Sequence, residues 1–389
     1  MQTSYVRKEG DMLKLPTDRP VRVGIVGGGQ LARMMVLDAA RLGLDLTVLA
    51  AERDEGSRGV IAVRDGDPND PQDLQDLADS TDALTLDHEL VPLEYWRAIE
   101  SQGQVLHPGA ETLQYTNKIV QRTAFAQAGL PVPPFSVVHT AKEIDGFASE
   151  HGWPLILKSP LGGYDGHGIM QVRSMDEANV MLEAAAGQPL LAEPHLPLRD
   201  EIAVLVCTSA SGERVVYDPV RTIQENGMCA AVHVGEGVLD PAVASEASKI
   251  AQRTADLVGS VGILAVEFFV TKDGLTINEI APRPHNSGHH TIDSCQTSQF
   301  ENHLRAVVGW PLGSPAMTCK AAAMVNVIGT QAGDPTTRVG RALTTQAKVH
   351  VYDKTWRPGR KLGHVTAVAN DIDTAEARAE RAAQLLMYG

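Results

Sequence analysis

The stretch GILAVEFFVTKDGLTINEIAPRPHNSGHH, beginning at Gly262, constrains this chain more than any other. Apolar and polar residues alternate on both sides of Asp273-Gly274, a pattern that predicts a β-hairpin. A three-residue loop, Lys272 to Gly274 with the glycine left-handed, sets Glu267 opposite Glu279. A two-residue loop shifts the register by one and sends the two acids to opposite faces. Opposed, their Cβ atoms stand roughly 5 Å apart, and like charges at that spacing destabilise the pair. A cation between them removes the conflict. Mg²⁺, which takes one or two carboxylates together with phosphate oxygens, suits the site, with Mn²⁺ as a substitute. A solvated hairpin with two unrelated acids is the plainer reading. The apolar neighbours Leu264, Val266, Phe268 and Val270, and the polar run that follows, favour the metal pair.

Bulk properties narrow the function classes. At 389 residues the chain has material for two or three domains. A net charge of −14 argues against a general nucleic-acid binder, which needs clustered lysine and arginine. It leaves room for a local basic pocket. The four cysteines are scattered with no Cys-x-x-Cys pair, so neither a zinc ribbon nor a disulfide framework is expected, and reduced thiols point to the cytoplasm. Residues 1–20 are mixed in charge and carry prolines, reading as an extension rather than a signal peptide. No apolar run approaches membrane-span length, so no membrane association is expected.

Residues 21–49 read as strand, glycine turn, helix, strand, the start of a doubly wound α/β unit. Gly27, Gly29 and Ala32 match the G-x-G-x-x-A dinucleotide fingerprint, with Glu52 about twenty residues on. Taken alone, that supports an NAD-dependent oxidoreductase, although any α/β unit needs glycine where a strand turns tightly into a helix. ALTLDHELVP reads as a later strand ending in Asp87 and Glu89, at the edge where such sheets bind ligands. A helix over 116–129 precedes Pro131, Pro133 and Pro134, read as a hinge. An α+β stretch follows, with a second helix over 243–258 capped by Gly259. The expected division is 1–20 extension, 21–115 Rossmann-like, 116–314 α+β with a lid at about 135–205, and 315–389 a small C-terminal domain.

Further clusters carry chemistry. GGYDGHG, Gly162 to Gly168, lies between two predicted strands and follows Lys158; its glycines let backbone N–H groups form an anion nest beside that lysine. It lacks the Gly-Lys-Ser/Thr of a P-loop, and a plain glycine hairpin is the alternative. Glu193-Pro194-His195-Leu196 is a stiff strand end able to present a donor and an acceptor to an adenine edge, and Glu201 is placed to accept from ribose hydroxyls. Arg283, His285, Asn286 and Ser287 form a loop of donors after Glu279. His285-x-x-x-His289 has a zinc-like spacing, but Pro282, Pro284 and Gly288 break the helix that spacing requires. Lys354, Arg357, Arg360 and Lys361 make a basic cluster suited to a sugar phosphate.

With these motifs in hand, the chain resembles the ATP-grasp enzymes. GGGQLARM, GGYDGHG, NEIAPRPHNSGHH and YDKTWRPGRKLGH are together similar to the N5-carboxyaminoimidazole ribonucleotide synthase family of purine biosynthesis, across residues 21–389. The resemblance implies three domains, usually as a homodimer, and ATP-driven joining of 5-aminoimidazole ribonucleotide to bicarbonate. It implies ATP on Lys158, on Gly162, Gly163, Tyr164, Asp165, Gly166, His167 and Gly168, on Glu193 to Leu196, and on Glu201, Asn278 and Glu279. Glu267 and Glu279 would hold Mg²⁺. Gln30, Leu31, Asp87, Asn286, Lys354, Arg360 and Lys361 would hold the ribonucleotide, with Asp165, Arg283, His285, Asn286 and Ser287 near the reacting carboxyl group. A mutase that accepts the labile product is the expected transient partner.

The chain departs from the pattern at His167, where an arginine or lysine is usual, at Gln114 in place of an arginine, and at Gln224 in place of a histidine. Ala281 matches the purine branch. The nearest rival is the formate-using glycinamide ribonucleotide formyltransferase of the same branch, which typically has aspartate where Asn286 stands.

Overall fold

The structure, a computed structural model, describes residues 15–51, 55–162, 168–225 and 227–389. Its first unit is a five-stranded parallel sheet. The order across it is Val63–Asp65, Asp45–Ala50, Arg22–Val26, Ala83–Leu86, Val105–Leu106. Strand order reverses between Arg22–Val26 and Ala83–Leu86, so their carboxyl ends frame a switch-point crevice. Gly27 to Gln30 and Asp87 to Glu89 line it. This sheet is fully buried at Val23, Ile25, Val48 and Leu84, as expected for strands covered on both faces.

A second sheet is small and antiparallel, ordered Ser136–Val138, Leu190–Pro194, Leu155–Lys158, Ile169–Val172, with the helices Ala141–His151 and Met175–Ala184 packed against it. Thr140 and Glu143 form a reciprocal capping box on the first helix, and Ser174 caps the second. The third sheet is large and antiparallel. It runs from the hairpin Gly262–Thr271/Gly274–Ala281 through Asp200–Thr208, Val220–Glu225 and Met228–Gly235. It then continues without a break into Ala321–Ile328, Lys361–Ala369 and Lys348–Val351. The helix Pro241–Val258, capped by Asp240 and closed by Gly259 at φ 64°, packs its apolar stripe on the hairpin strands.

The units share more core than the sequence suggests. Phe300, Leu304 and Val307, from the helix Gln299–Val307, and Tyr352 pack into the apolar cluster of the first unit. Between the layers, His303 accepts from the Ile263 N–H at Nδ1 (3.0 Å), which leaves Nε2 as the protonated nitrogen facing Thr85 Oγ1 at 2.7 Å. Among the described residues no helix is long and apolar enough to cross a membrane.

Candidate active site

Glu267 does pair with Glu279, but by a route other than the expected one. The loop has two residues, because Thr271 pairs directly with Gly274. Left alone, that register would have split the acids between faces. A bulge restores them: Phe268 pairs with Ile277 and Glu267 with Glu279, so Asn278 is the extra residue. A bulge re-aims side chains locally, and here it brings Asn278 to the same face as both acids. Its Nδ2 lies 3.4 Å from Glu267 Oε2, and its Oδ1 accepts from Lys158 Nζ at 3.1 Å. Register also puts Glu201 on this face, since Glu201 pairs with Phe269 and Ala203 with Glu267.

The electrostatics of the pair are asymmetric. Burial, then the charges of Glu279 and Glu201, push the Glu267 carboxyl up to about 8. Glu279 is also penalised by burial, yet the Lys118 charge and hydrogen bond, joined by the Lys158 charge, hold it below its ordinary value. Lys118 Nζ sits 2.5 Å from Glu279 Oε2. One acid is thus pushed towards its protonated form while its neighbour stays charged, the result expected of two carboxylates sharing a site. The donor set fits a hard divalent cation: two facing carboxylates and an amide oxygen, with a proton on Glu267 that a metal would displace.

Lys158 and Glu193 lie on adjacent strands of the small sheet with Ile156 opposite Glu193, so both side chains share a face. They pair at 2.8 Å, and Arg122 closes the other side of Glu193 at 2.5 Å. All three are buried. Burial lowers the Lys158 ammonium despite Glu193, and Glu193 is held low by Lys158 and Arg122 against its own burial. Arg122 also donates to the carbonyls of Ile277 (2.7 Å) and Asn278 (2.9 Å), tying the small sheet to the bulged strand. Gly162 (φ 76°) and Gly168 (φ 68°) are the described ends of the glycine loop. Gly163, Tyr164, Asp165, Gly166 and His167 lie outside the described residues, as does Glu52. Pro194 and Leu196 are half-buried and His195 is exposed.

At the crevice, Arg283 makes a paired hydrogen bond to Glu89, Nη2 to Oε1 at 2.9 Å and Nε to Oε2. Burial would raise Glu89, but the Arg283 charge and its hydrogen bonds reverse this and take the carboxyl down to about 2. His285 faces Glu267 through Nε2 at 3.4 Å. Its Nδ1 accepts from the Ser287 N–H (3.4 Å) and lies 2.9 Å from Ser287 Oγ, so the neutral ring carries its proton on Nε2. Burial and the Arg283 charge lower this ring to about 4. Ser287 is itself buried and bonded to His285, so it positions that ring. Asn286 exchanges amide hydrogen bonds with buried Asn326, at 3.1 and 2.8 Å. His289 Nδ1 is taken by the Gln299 amide, an arrangement that uses the zinc-spaced histidines for packing.

The N-terminal fingerprint has a different use from the one its spacing suggests. Asp87 accepts from the N–H of Gly29 (3.1 Å) and of Ala32 (2.7 Å), capping the helix Gln30–Leu42. A Cβ on Gly29 would stand 2.5 Å from Asp87 Oδ2. The helix N-terminus where a dinucleotide's pyrophosphate would sit therefore holds an internal carboxylate, and the oxidoreductase alternative loses its site. Leu31 is buried in the core, which leaves only its backbone for a ligand. Gln30 accepts from Lys354 Nζ, and Arg360 pairs with Glu55 at 2.8 Å. Gln114 bonds Glu111 at the surface; the cation that reaches the carboxylate pair from this segment is Lys118. Nothing in the sequence flagged Lys118 or Arg122, beyond their sharing a helix face four residues apart.

Two α+β lobes that converge Lys158, Glu193 and a bulged carboxylate hairpin on one cleft define an ATP-grasp enzyme. The ATP-grasp domain model matches residues 123–300, the ribonucleotide synthetase preATP-grasp domain 21–117, and the phosphoribosylaminoimidazole carboxylase C-terminal domain 322–378. N5-carboxyaminoimidazole ribonucleotide synthase of Mycobacterium bovis is 39% identical, covering 94% of this chain and 88% of its own. The Synechococcus elongatus enzyme of that name is 35% identical over 94% and 93%. A crystal structure of N5-carboxyaminoimidazole synthase from Aspergillus clavatus with ADP and 5-aminoimidazole ribonucleotide superposes with a TM-score of 0.86 at 30% identity, covering 95% and 99%. The chain belongs to the N5-carboxyaminoimidazole ribonucleotide synthase family, ATP-grasp ligases that form a carbon–nitrogen bond.

Proposed function

We propose that this chain joins bicarbonate to 5-aminoimidazole ribonucleotide at the expense of ATP, giving N5-carboxyaminoimidazole ribonucleotide, ADP and phosphate in purine biosynthesis. The observation that carries the reading is Glu267 opposite Glu279, with Asn278 bulged onto their face and Lys158 and Lys118 alongside. Bicarbonate is a poor electrophile, so one of its oxygens must become a leaving group. Attack of that oxygen on the γ-phosphorus releases ADP and forms carboxyphosphate. The exocyclic amine of the imidazole then takes the carboxyl group, directly or as CO₂, and phosphate departs.

In this scheme Lys158 and the glycine loop hold the phosphates, Glu193 to Leu196 hold the adenine, and Glu201 holds the ribose. Glu267 and Glu279 would hold Mg²⁺, which when bound neutralises the phosphate charge and aligns the γ-phosphorus. Lys118 keeps Glu279 ionised for that purpose. Arg283, fixed by Glu89, and His285, neutral with its proton on Nε2, face the reacting carboxyl group; Asp165 is assigned there too. Gln30, Asp87, Asn286, Lys354, Arg360 and Lys361 address the ribonucleotide. A closing glycine loop would keep carboxyphosphate from water. The enzyme works in the cytoplasm as a homodimer and passes its labile carbamate to a mutase. Sedimentation, alone and with that mutase, tests both associations.

The function is tested with purified protein by coupled ADP release. Stimulation by 5-aminoimidazole ribonucleotide with bicarbonate is expected; stimulation only by glycinamide ribonucleotide with formate would overturn the assignment.

A further inference from the structure

The loop joining the strands Lys348–Val351 and Lys361–Ala369 carries Lys354 and Arg360, the cations assigned above to the ribonucleotide. Its ends are fixed by the fold. Tyr352 is buried with its hydroxyl 2.8 Å from His364 Nδ1, and Gly329 bonds the backbone of Gly359 (2.9 Å) and Arg360 (2.8 Å). The middle is fixed from the first unit. Glu55 accepts from the Thr355 N–H at 2.6 Å, from Thr355 Oγ1 at 2.9 Å and from Arg360 Nη1 at 2.8 Å. Lys354 reaches Gln30 and Arg33 reaches Asp353 at 3.7 Å beside it, so these contacts bridge the same two units.

The arrangement of donors matters more than the ion pair itself, since an exposed pair contributes little. Arg360 spends Nη1 on Glu55 and on the Thr355 carbonyl (2.9 Å). Among the described residues, Nε and Nη2 have no partner. That is the edge of the fork able to meet two oxygens of one phosphate. With Nη1 held by both a carboxylate and a carbonyl, the direction of the opposite edge is fixed. Glu55 is only partly exposed, at 30% of its side chain, and Arg360 at 18%, so solvent does not freely exchange these bonds.

We propose that Glu55 is the positioning residue for the substrate's phosphate: it clasps Thr355 and Nη1 of Arg360, aiming the Nε/Nη2 edge at the phosphate group. The inference rests on the proposed function. In steady-state ADP release, Glu55→Ala is expected to raise the KM for 5-aminoimidazole ribonucleotide roughly tenfold, the scale of one lost charge-assisted hydrogen bond. kcat and the KM for ATP stay at their wild-type values. Arg360→Ala raises the same KM, and the double variant raises it by less than the product of the two single effects, because part of the Glu55 effect runs through that side chain. A KM within about twofold of wild type in Glu55→Ala, or effects that multiply in the double variant, overturns the assignment. Should Glu55→Ala melt early, Glu55→Gln carries the same comparison, since it keeps the shape and removes the charge. Wild-type protein assayed alongside separates the two readings. No response to the ribonucleotide defeats the function, whereas a normal wild-type response with an unmoved variant KM defeats this inference alone.

Discussion

Replacing Glu89 by glutamine tests how the first unit is locked to the hairpin loop. Glu89 lies just after the switch-point strand Ala83–Leu86 and holds Arg283 by a paired hydrogen bond, with side chains 24% and 16% exposed. Its carboxyl falls from 4.5 to about 2, which at about 1.4 kcal/mol per pH unit is a contribution of about 3 kcal/mol to the folded state. The sign follows from the depressed value. The contribution is complete above the unfolded value near 4.5 and is lost as pH falls from there towards about 2. Glu89→Gln keeps the shape, removes the charge and leaves a buried guanidinium without its counter-ion, a change of the kind that costs about 3–5 kcal/mol. Urea unfolding at pH 7 should show a loss of about 3 kcal/mol, constant from pH 5 to 8 and shrinking in acid. Glu89→Gln/Arg283→Met should recover part of it. A loss under about 0.5 kcal/mol at pH 7 would refute the account of this pair.

Other outcomes follow from neighbouring contacts. Glu279→Gln should abolish ADP release while the protein still melts cooperatively; retained turnover contradicts the metal assignment. The His285 ring, lowered to about 4 by burial and Arg283, should show no inflection between pH 6 and 7 by NMR and titrate near 4. Stability then declines as pH falls from about 6.5 to about 4, because the unfolded ring takes a proton that the folded ring refuses. Gly29→Ala would put a methyl 2.5 Å from Asp87 Oδ2 and should lower the melting temperature by more than Gly43→Ala. At Gly43 the space is open and only the left-handed backbone, about 1 kcal/mol, opposes the substitution.

The sequence made the carboxylate pair legible because a hairpin has few registers, and the apolar neighbours select the buried ones. It misplaced the extra residue. Inserting one residue in the loop or one in the strand produces the same pairing beyond it, and only the bulge brings Asn278 onto the metal face. The fingerprint at Gly27–Ala32 was legible as a strand–helix turn but misleading as a ligand site. Which carboxylate caps that helix depends on Asp87, 55 residues further on than Ala32. Lys118, Arg122, Asn326 and Glu89's attachment to Arg283 were beyond local reading, because each acts across units on a partner distant in the chain. The continuous sheet from Gly274–Ala281 to Lys348–Val351 was hidden for the same reason: strand order is set by tertiary packing and leaves no trace in periodicity.

A crystal structure with ADP and Mg²⁺ bears most directly on the site. A metal ion held between the carboxylates of Glu267 and Glu279, in contact with the ADP phosphates, is the predicted result. Nucleotide bound in the cleft with the metal ion lying elsewhere, or nucleotide seated at Gly27–Gln30 instead, would contradict it.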